Sequence, residues 1–385
     1  MKIVHTCLCG AMTDGLTYQE NIITKYHRRM GLEVTIVASQ YEWSADGKKV
    51  LTDRTNYRND DDVKVIRLPV KRGTVDTKLK IYPDLYKTVE SEQPDILFIH
   101  SCQFLDLITL ARYAKRHPNV KLYVDNHVDY SNGAHGWVSK NILHKLLWRF
   151  CVHRIEPYAT KFYGVLPTRV DILKELYGLP ESKCELLVMG GDDEMVQRAA
   201  QSEVRARIRA QYGVAEDDFL IMTGGKIDAF KTQTLLLMEA VQRIQNDKLR
   251  LIVFGSVATD LKAQVENLAD GKKVQYIGWV QANDSYDYFA AADLVVFPGR
   301  HSVFWEQVAA QGIPMLVKDW PGTHHVDLGG NVRFLKQDSV EEIQNEIERL
   351  VDHPQEYRKM KAVAVEKGMM EFSYAEIAKR AIERT

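Results

Sequence analysis

The chain has 385 residues, 45% of them apolar and 27% charged, which is enough for two α/β domains with substantial cores. Lys plus Arg number 51 and Asp plus Glu 52, a formal net charge of −1, so a globally basic nucleic-acid surface is excluded. The five cysteines, Cys7, Cys9, Cys102, Cys151 and Cys184, are irregularly spaced, which argues against a zinc ligand set or a disulfide framework and for a reducing, cytoplasmic setting.

The first residues, Met1 to His5, read straight into a strand and not into a signal peptide, and no apolar run approaches the ~20 residues that span a bilayer. Lys2 to Thr6 is the first strand. Tyr18 to Met30 has helical periodicity, with Gly31 where the helix should stop. Glu33 to Ala38, Asp95 to His100, Lys121 to Val124, Lys161 to Val165 and Cys184 to Val188 continue as short buried strands. This is the βαβ rhythm of a parallel sheet covered by helices. Trp137 to Arg154 interleaves Leu, Ile and Trp with Lys140, Lys145, Arg149 and Arg154. Such a basic amphipathic helix either lies on an anionic membrane surface or packs on its own domain with its cations outward.

The rhythm restarts at Asp218 to Thr223, followed by a helix from Thr232 through Arg243. Strands follow at Leu249 to Phe254, Val274 to Ile277, Asp293 to Phe297 and Ile313 to Val317. Two copies of one pattern imply two similar domains, with a boundary near Gly190 to Asp193. The expected division is 1–190, 191–370 and a C-terminal helix in 371–385 that packs back on the first domain.

Chemistry concentrates in a few stretches. Gly224, Gly225, Lys226 and Lys231 lie between a strand and a helix. Bare backbone, helix N–H groups and two ammonium groups suit a departing diphosphate. Phe297 to Pro314 runs from a strand end through Gly299, Arg300, His301 and Ser302 to a small-residue helix carrying Glu306. Gly10, Asp14 and Gly15 follow the first strand, and Gly15 suits close backbone approach. Asp125, His127 and Asp129 follow another strand, at a sheet end where α/β sites sit. Asp60, Asp61 and Asp62 read as a solvated loop, and no acidic pair sits at a strand end to hold a metal.

The order of these pieces resembles the GT-B glycosyltransferases, specifically the large retaining family four. Gly225, Lys226, Ile227 and Lys231 resemble its phosphate loop, with Lys in place of Arg. Phe254–Gly255, the Ile277–Val280 turn around Gly278, the Ala290–Pro298 run and the stretch from Glu306 to Pro314 resemble its later motifs. Gly190, Gly191 and Asp192 resemble its domain-junction turn. One departure stands out: the family's first glutamate, eight positions before Glu306, is here Pro298.

The resemblance implies an α/β chain of two Rossmann-like domains facing an interdomain cleft. It implies a metal-independent, retaining hexosyltransferase that uses a UDP- or GDP-sugar as donor and needs no cofactor. Lys226 and Lys231 would stabilise the leaving diphosphate, and His127 would orient the sugar. Gly15, Gly225, Gly278 and Glu306 would contact the donor, with Glu306 on the ribose, and Arg300 and His301, in the region where the family's first glutamate is missing, are candidate donor contacts to a sugar carboxylate or hydroxyl. Asp14 and Asp129 are candidate sugar or acceptor contacts. The implied acceptor is a glycan or a polyprenyl-phosphate-linked sugar, in capsule or other surface polysaccharide assembly at the inner face of the membrane. A catalytically silent nucleotide-sugar scaffold and a sugar-nucleotide epimerase are the alternatives.

Overall fold

The structure is a computed structural model that describes residues 1–44, 48–71 and 79–383. Arg384, the last residue of the expected terminal helix, lies outside the described residues. The chain forms two compact units, one of Met1–Val188 with Ile377–Thr385 and one of Met189–Glu376.

The first unit is built on an eight-stranded sheet. In spatial order its strands are Cys184–Leu186, Lys161–Gly164, Lys121–Asn126, Ile96–Ile99, Lys2–Cys7, Glu33–Ser39, Lys64–Leu68 and Asn56–Arg58. All neighbours are parallel except the last, which turns back against Lys64–Leu68. Parallel strands are covered on both faces, and Ile96–Ile99 accordingly buries every residue. Sequence reading misses the edge strand Asn56–Arg58 and its neighbour Lys64–Leu68, and also the hairpin Tyr41–Trp43 with Lys49–Leu51. Charged or polar residues interrupt or flank the short apolar run in each of them.

The helix expected from Tyr18 to Met30 spans Gln19–Arg29, and Gly31 follows it at φ 84°, the left-handed stop that a side chain resists. The basic amphipathic stretch is a π-helix, Ser139–Trp148, continued by an α-helix, Arg149–Ile155. Only His144 and Trp148 of the π-helix are buried. Trp137, Val138, Ile142, Leu143, Leu146 and Phe150 are exposed. The segment packs on its own domain through Trp148, Cys151 and Val152, while its earlier turns leave apolar side chains exposed.

From Ile377 onward the last helix, Tyr374–Glu383, belongs to the first unit. Carbonyls in a helix's last turn have no partner within the helix. Here the buried hydroxyls of Tyr163 and Tyr123 donate to Ala381 O at 3.2 Å and Ile382 O at 2.9 Å. His27 Nε2 lies 2.8 Å from Ala378 O.

The second unit has six parallel strands in the order Val274–Tyr276, Leu249–Phe254, Phe219–Gly224, Leu294–Phe297, Met315–Lys318 and Val332–Leu335. Counted along the chain this is 3-2-1-4-5-6, the doubly wound order. It creates a crevice where Phe219–Gly224 meets Leu294–Phe297, because the connections leave those strands in opposite directions. Among the described residues no helix is long and apolar enough to cross a membrane.

The double substitution Tyr123→Phe/Tyr163→Phe is expected to leave two buried carbonyls without donors and to cost about 1–3 kcal/mol. Hydrogen exchange should show faster opening of residues 374–383, whereas amides in the second unit's sheet should be unaffected.

Candidate functional site

The crevice of the second unit gathers residues that are far apart in sequence. Gly224, Gly225, Lys226 and Lys231 line one side, and Pro298, Gly299, Arg300 and Ser302 the other. Two backbone approaches shape it. Gly225 N–H donates to Phe254 O at 3.0 Å, and Gly255 N–H donates to Gly278 O at 2.7 Å. Gly225 and Gly255 have φ of 125° and 129°, and a Cβ on Gly255 would stand 1.9 Å from Gly225 O. Glycine is therefore required where these two loops meet. Gly278 adopts φ 79° in the turn that accepts the second bond.

Three cations face this backbone. Lys226 is exposed and lies 3.1 Å from Asp228. Lys231 is more enclosed: burial pushes its ammonium down, Asp228 opposes that, and Arg300 adds to it. A partly desolvated ammonium of this kind gains most when an anion arrives. The Arg300 guanidinium sits over Phe230 at 5.1 Å and Trp320 at 5.3 Å, which orients it without consuming its donors in an ion pair. Asp228 was not anticipated. It shapes the loop by accepting from Phe230 N–H at 2.9 Å, the short-range turn that an aspartate before a helix commonly makes.

The loop that carries Arg300 leads to a second cluster. Glu306, in the helix Phe304–Ala310, is wholly buried. His301 Nε2 and His325 Nε2 each lie 2.8 Å from its Oε1. Burial alone would raise this carboxyl, but His301 and His325 outweigh burial and hold it well below the usual range. Of this carboxylate Oε1 is taken, whereas the buried Oε2 has no partner. His301 is fixed by that contact, which narrows its expected role as a sugar contact. His325 is the residue that sequence reading missed, since nothing periodic marks it in the single 3-10 turn His324–Val326.

In the first unit, the strand ends bring another carboxylate against two histidines. Asp125 Oδ2 lies 2.6 Å from His100 Nδ1, and Oδ1 accepts from Ser101 N–H at 2.8 Å. Ser101 holds φ 67°, a left-handed conformation uncommon outside glycine. His127 Nε2 approaches Asp125 Oδ1 to 3.2 Å as an ion pair without the alignment of a full hydrogen bond. Burial opposes charge on His127, and Asp125 overcomes it and raises its pKa. Burial likewise opposes ionisation of Asp125, but His127 and His100 hold it far below the carboxylate range.

The remaining candidates have identifiable partners. Gly15 has φ 75° in an exposed loop. Asp14 accepts from Tyr57 OH at 2.6 Å and lies 3.3 Å from Arg54. Asp129 accepts from the N–H and hydroxyl of Ser131 and pairs with Arg169 at 3.2 Å. Both carboxylates thus build their own loops. Two groups, His100–Asp125–His127 and His301–Glu306–His325, place metal-ligand atoms within 4.8 Å of one another. Contacts inside each group already engage the histidine nitrogens that face the carboxylate, so we read both as carboxylate–histidine clusters.

Two family descriptions match. Residues 17–189 match a glycosyl transferase 4-like domain, and residues 217–353 match glycosyl transferases group 1. Mannosylfructose-phosphate synthase of Agrobacterium fabrum is 24% identical over 229 residues, 56% of this chain and 50% of that protein. The chain thus matches about half the length of this curated relative. Among solved structures, Anabaena HepE in complex with UDP superposes with a TM-score of 0.70 at 16% identity, covering 100% of this chain and 99% of that one. Sucrose-phosphate synthase from Thermosynechococcus elongatus gives 0.68 at 13%, covering 98% and 96%. The fold is GT-B, and the two domain matches together with these neighbours support a GT-B glycosyltransferase.

The Glu306 cluster predicts a pH dependence. A carboxyl held below its unfolded value contributes fully above the unfolded range and loses that contribution as pH falls through the folded value. Glu306→Gln should therefore cost about 1–3 kcal/mol at pH 7. The gap to wild type should narrow below about pH 4 in urea titrations.

Proposed function

From this fold and these domain matches, we propose that the protein is a metal-independent, retaining glycosyltransferase that takes a hexose from a UDP- or GDP-sugar. The observation that supports it most is the second unit's crevice, where glycine backbone and three cations converge at the carboxyl ends of the strands. That equipment suits a nucleoside diphosphate leaving group. Lys226, Lys231 and Arg300 offset the charge that develops on the β-phosphate as the bond from the anomeric carbon breaks. The acceptor oxygen bonds to that carbon on the same face, and its proton passes to the departing phosphate oxygen. Glu306 is assigned to the nucleotide ribose through Oε2, its free atom, with His301 and His325 keeping it ionised. His127 is assigned to a sugar hydroxyl. With Pro298 in place of the family's first glutamate, Arg300 takes over donor-sugar contacts on that loop. A silent nucleotide-sugar scaffold would use the same crevice without transfer.

For the acceptor we propose a lipid-linked glycan met at an anionic membrane surface, in surface polysaccharide synthesis. The exposed apolar residues Trp137, Val138, Ile142, Leu143, Leu146 and Phe150 support this reading, with Lys140, Lys145, Arg149 and Arg154 among them. An exposed apolar face beside cations fits the interface of an anionic bilayer.

Thermal unfolding with UDP, GDP and their sugars should show one nucleotide raising Tm. At 100 times Kd the stabilisation is about 2.7 kcal/mol. Lys231→Ala should weaken binding by roughly 10- to 100-fold, about 1.4–2.8 kcal/mol, and Glu306→Ala should abolish the preference for ribonucleotide over 2′-deoxy donor. Stabilisation with acceptor-independent silence would favour the scaffold, and no stabilisation by any nucleotide would overturn both readings.

Cosedimentation should show binding to phosphatidylglycerol-containing vesicles but little to phosphatidylcholine alone. Trp137→Ser/Leu146→Ser should remove most of it without changing the nucleotide-induced shift in Tm. Equal binding by this variant would sink the membrane reading.

A further inference from the structure

A line of polar rings crosses the core of the first unit. His27 Nε2 lies 2.8 Å from Ala378 O. His27 Nδ1 lies 2.9 Å from His5 Nε2, and His5 Nδ1 lies 2.9 Å from His100 Nε2. His100 Nδ1 lies 2.6 Å from Asp125 Oδ2. His5, His27 and Asp125 are fully buried and His100 nearly so. The strand pairing explains the alignment. His5 pairs with Phe98, Phe98 with Tyr123 and Tyr163 with Asp125, so that His5, His100 and Asp125 fall on one face of three adjacent strands. Phe98 stacks beneath His5 at 5.2 Å and lies 4.9 Å from His100.

Counting protons along this line gives a definite result. Each end is an acceptor: a backbone carbonyl at one end and a carboxylate at the other. Between them are four hydrogen bonds and three imidazoles. Each bond requires one proton, and three neutral imidazoles supply only three. His27 must donate from Nε2 to Ala378, so its Nδ1 accepts and His5 donates from Nε2. His5 Nδ1 then accepts from His100 Nε2, and His100 has no proton left for Asp125 unless it carries two. One ring is therefore a cation, or Asp125 is protonated.

The surroundings decide between these. Burial, reinforced by His27 and His100, pushes His5 well below the usual histidine range. Burial takes His27 down to about 4. Asp125 is held low against its burial, by His127 and His100. Of the three rings only His100 lies against a carboxylate, 2.6 Å from Asp125, so the additional proton is placed there. Buried thiols around Asp125, Cys7, Cys9 and Cys102, are pushed up by burial and stay protonated, so they add no competing charge.

We infer that His27, His5 and His100 form a relay storing one proton above three neutral rings, and that this stored charge, acting through Asp125, sets the protonation of His127. The relay neutralises Asp125 from the inside, while His127 reads what remains of its charge from the exposed side. The other charged groups facing His127 are Glu20, which favours its charged form, and Arg169, which opposes it. Neither touches the relay. His5, His27 and His100 are positioning residues. Their bearing on catalysis rests on the reading of His127 as the sugar contact, but the proton count does not.

The test is imidazole nitrogen NMR on the full-length chain, with each histidine assigned by substitution. In the wild type near pH 7.5, His100 should carry two protonated nitrogens, and His5 and His27 one each, on Nε2. His5→Gln keeps one donor and one acceptor in the line, so His100 should remain a cation. His5→Leu removes two links, after which two bonds and two rings balance without the additional proton. His100 should become neutral, and the titration of His127 should move to higher pH because a neighbouring cation is gone. Three neutral rings in the wild type, or identical His127 titrations in His5→Gln and His5→Leu, would overturn the relay. If His5→Leu fails to fold, the wild-type and His5→Gln spectra still decide the count. These spectra need no substrate, so they are independent of the nucleotide-binding experiment.

Discussion

A carboxylate taken out of water must be matched by charge or by hydrogen-bond donors, because leaving one unpaired costs several kcal/mol. Among the described residues each unit has one carboxylate with no exposed surface at all, and each matches it with two histidines. Asp125 has His100 and His127, and Glu306 has His301 and His325. Much of the local architecture follows from this constraint. Ser101 adopts a left-handed backbone to point its N–H at Asp125, and the loop around His325 comes back to reach Glu306. Histidine suits the task because its charge is adjustable near neutral pH, so the site can respond when a ligand arrives.

The two clusters occupy equivalent places in their units. In a parallel sheet wound in both directions, the connections diverge at one pair of strands and leave a crevice at their carboxyl ends. In the second unit this crevice holds Gly225, Lys231 and Arg300. In the first, the corresponding pair is Lys2–Cys7 and Ile96–Ile99, beside which His5, His100 and Asp125 align. The glycine-lined cationic crevice in one unit and the histidine line in the other therefore arise from one topological rule. They differ in the residues placed there: glycines that bare the backbone in one case, rings that share protons in the other.

The terminal helix ties a distant part of the chain to this arrangement. Its free carbonyls accept from Tyr123 and Tyr163, and Ala378 terminates the histidine line. Sequence patterning identifies such a helix from its apolar face. It does not reveal that the helix supplies acceptors, because backbone carbonyls leave no trace in residue identity.

Much of the fold was legible beforehand. Alternating apolar runs and helical stretches mark most of the central strands, and Gly31, Gly225 and Gly255 mark turns that require positive φ. The crevice residues were legible too, because Gly225, Lys226, Lys231 and Arg300 lie in two short segments whose chemistry is local. The strands Asn56–Arg58 and Lys64–Leu68 were not, since charged residues break their short apolar runs. Nor were His325 as partner of Glu306 and His100 as partner of Asp125, which lie 19 and 25 residues away from them. The sequence by itself determined periodicity, turn chemistry and the presence of a glycine- and lysine-bearing loop between a strand and a helix, because each depends on near neighbours in the chain. Which carboxylates are buried, which nitrogens face them and how many protons they share depend on strand order and helix docking, and only the tertiary structure decided those.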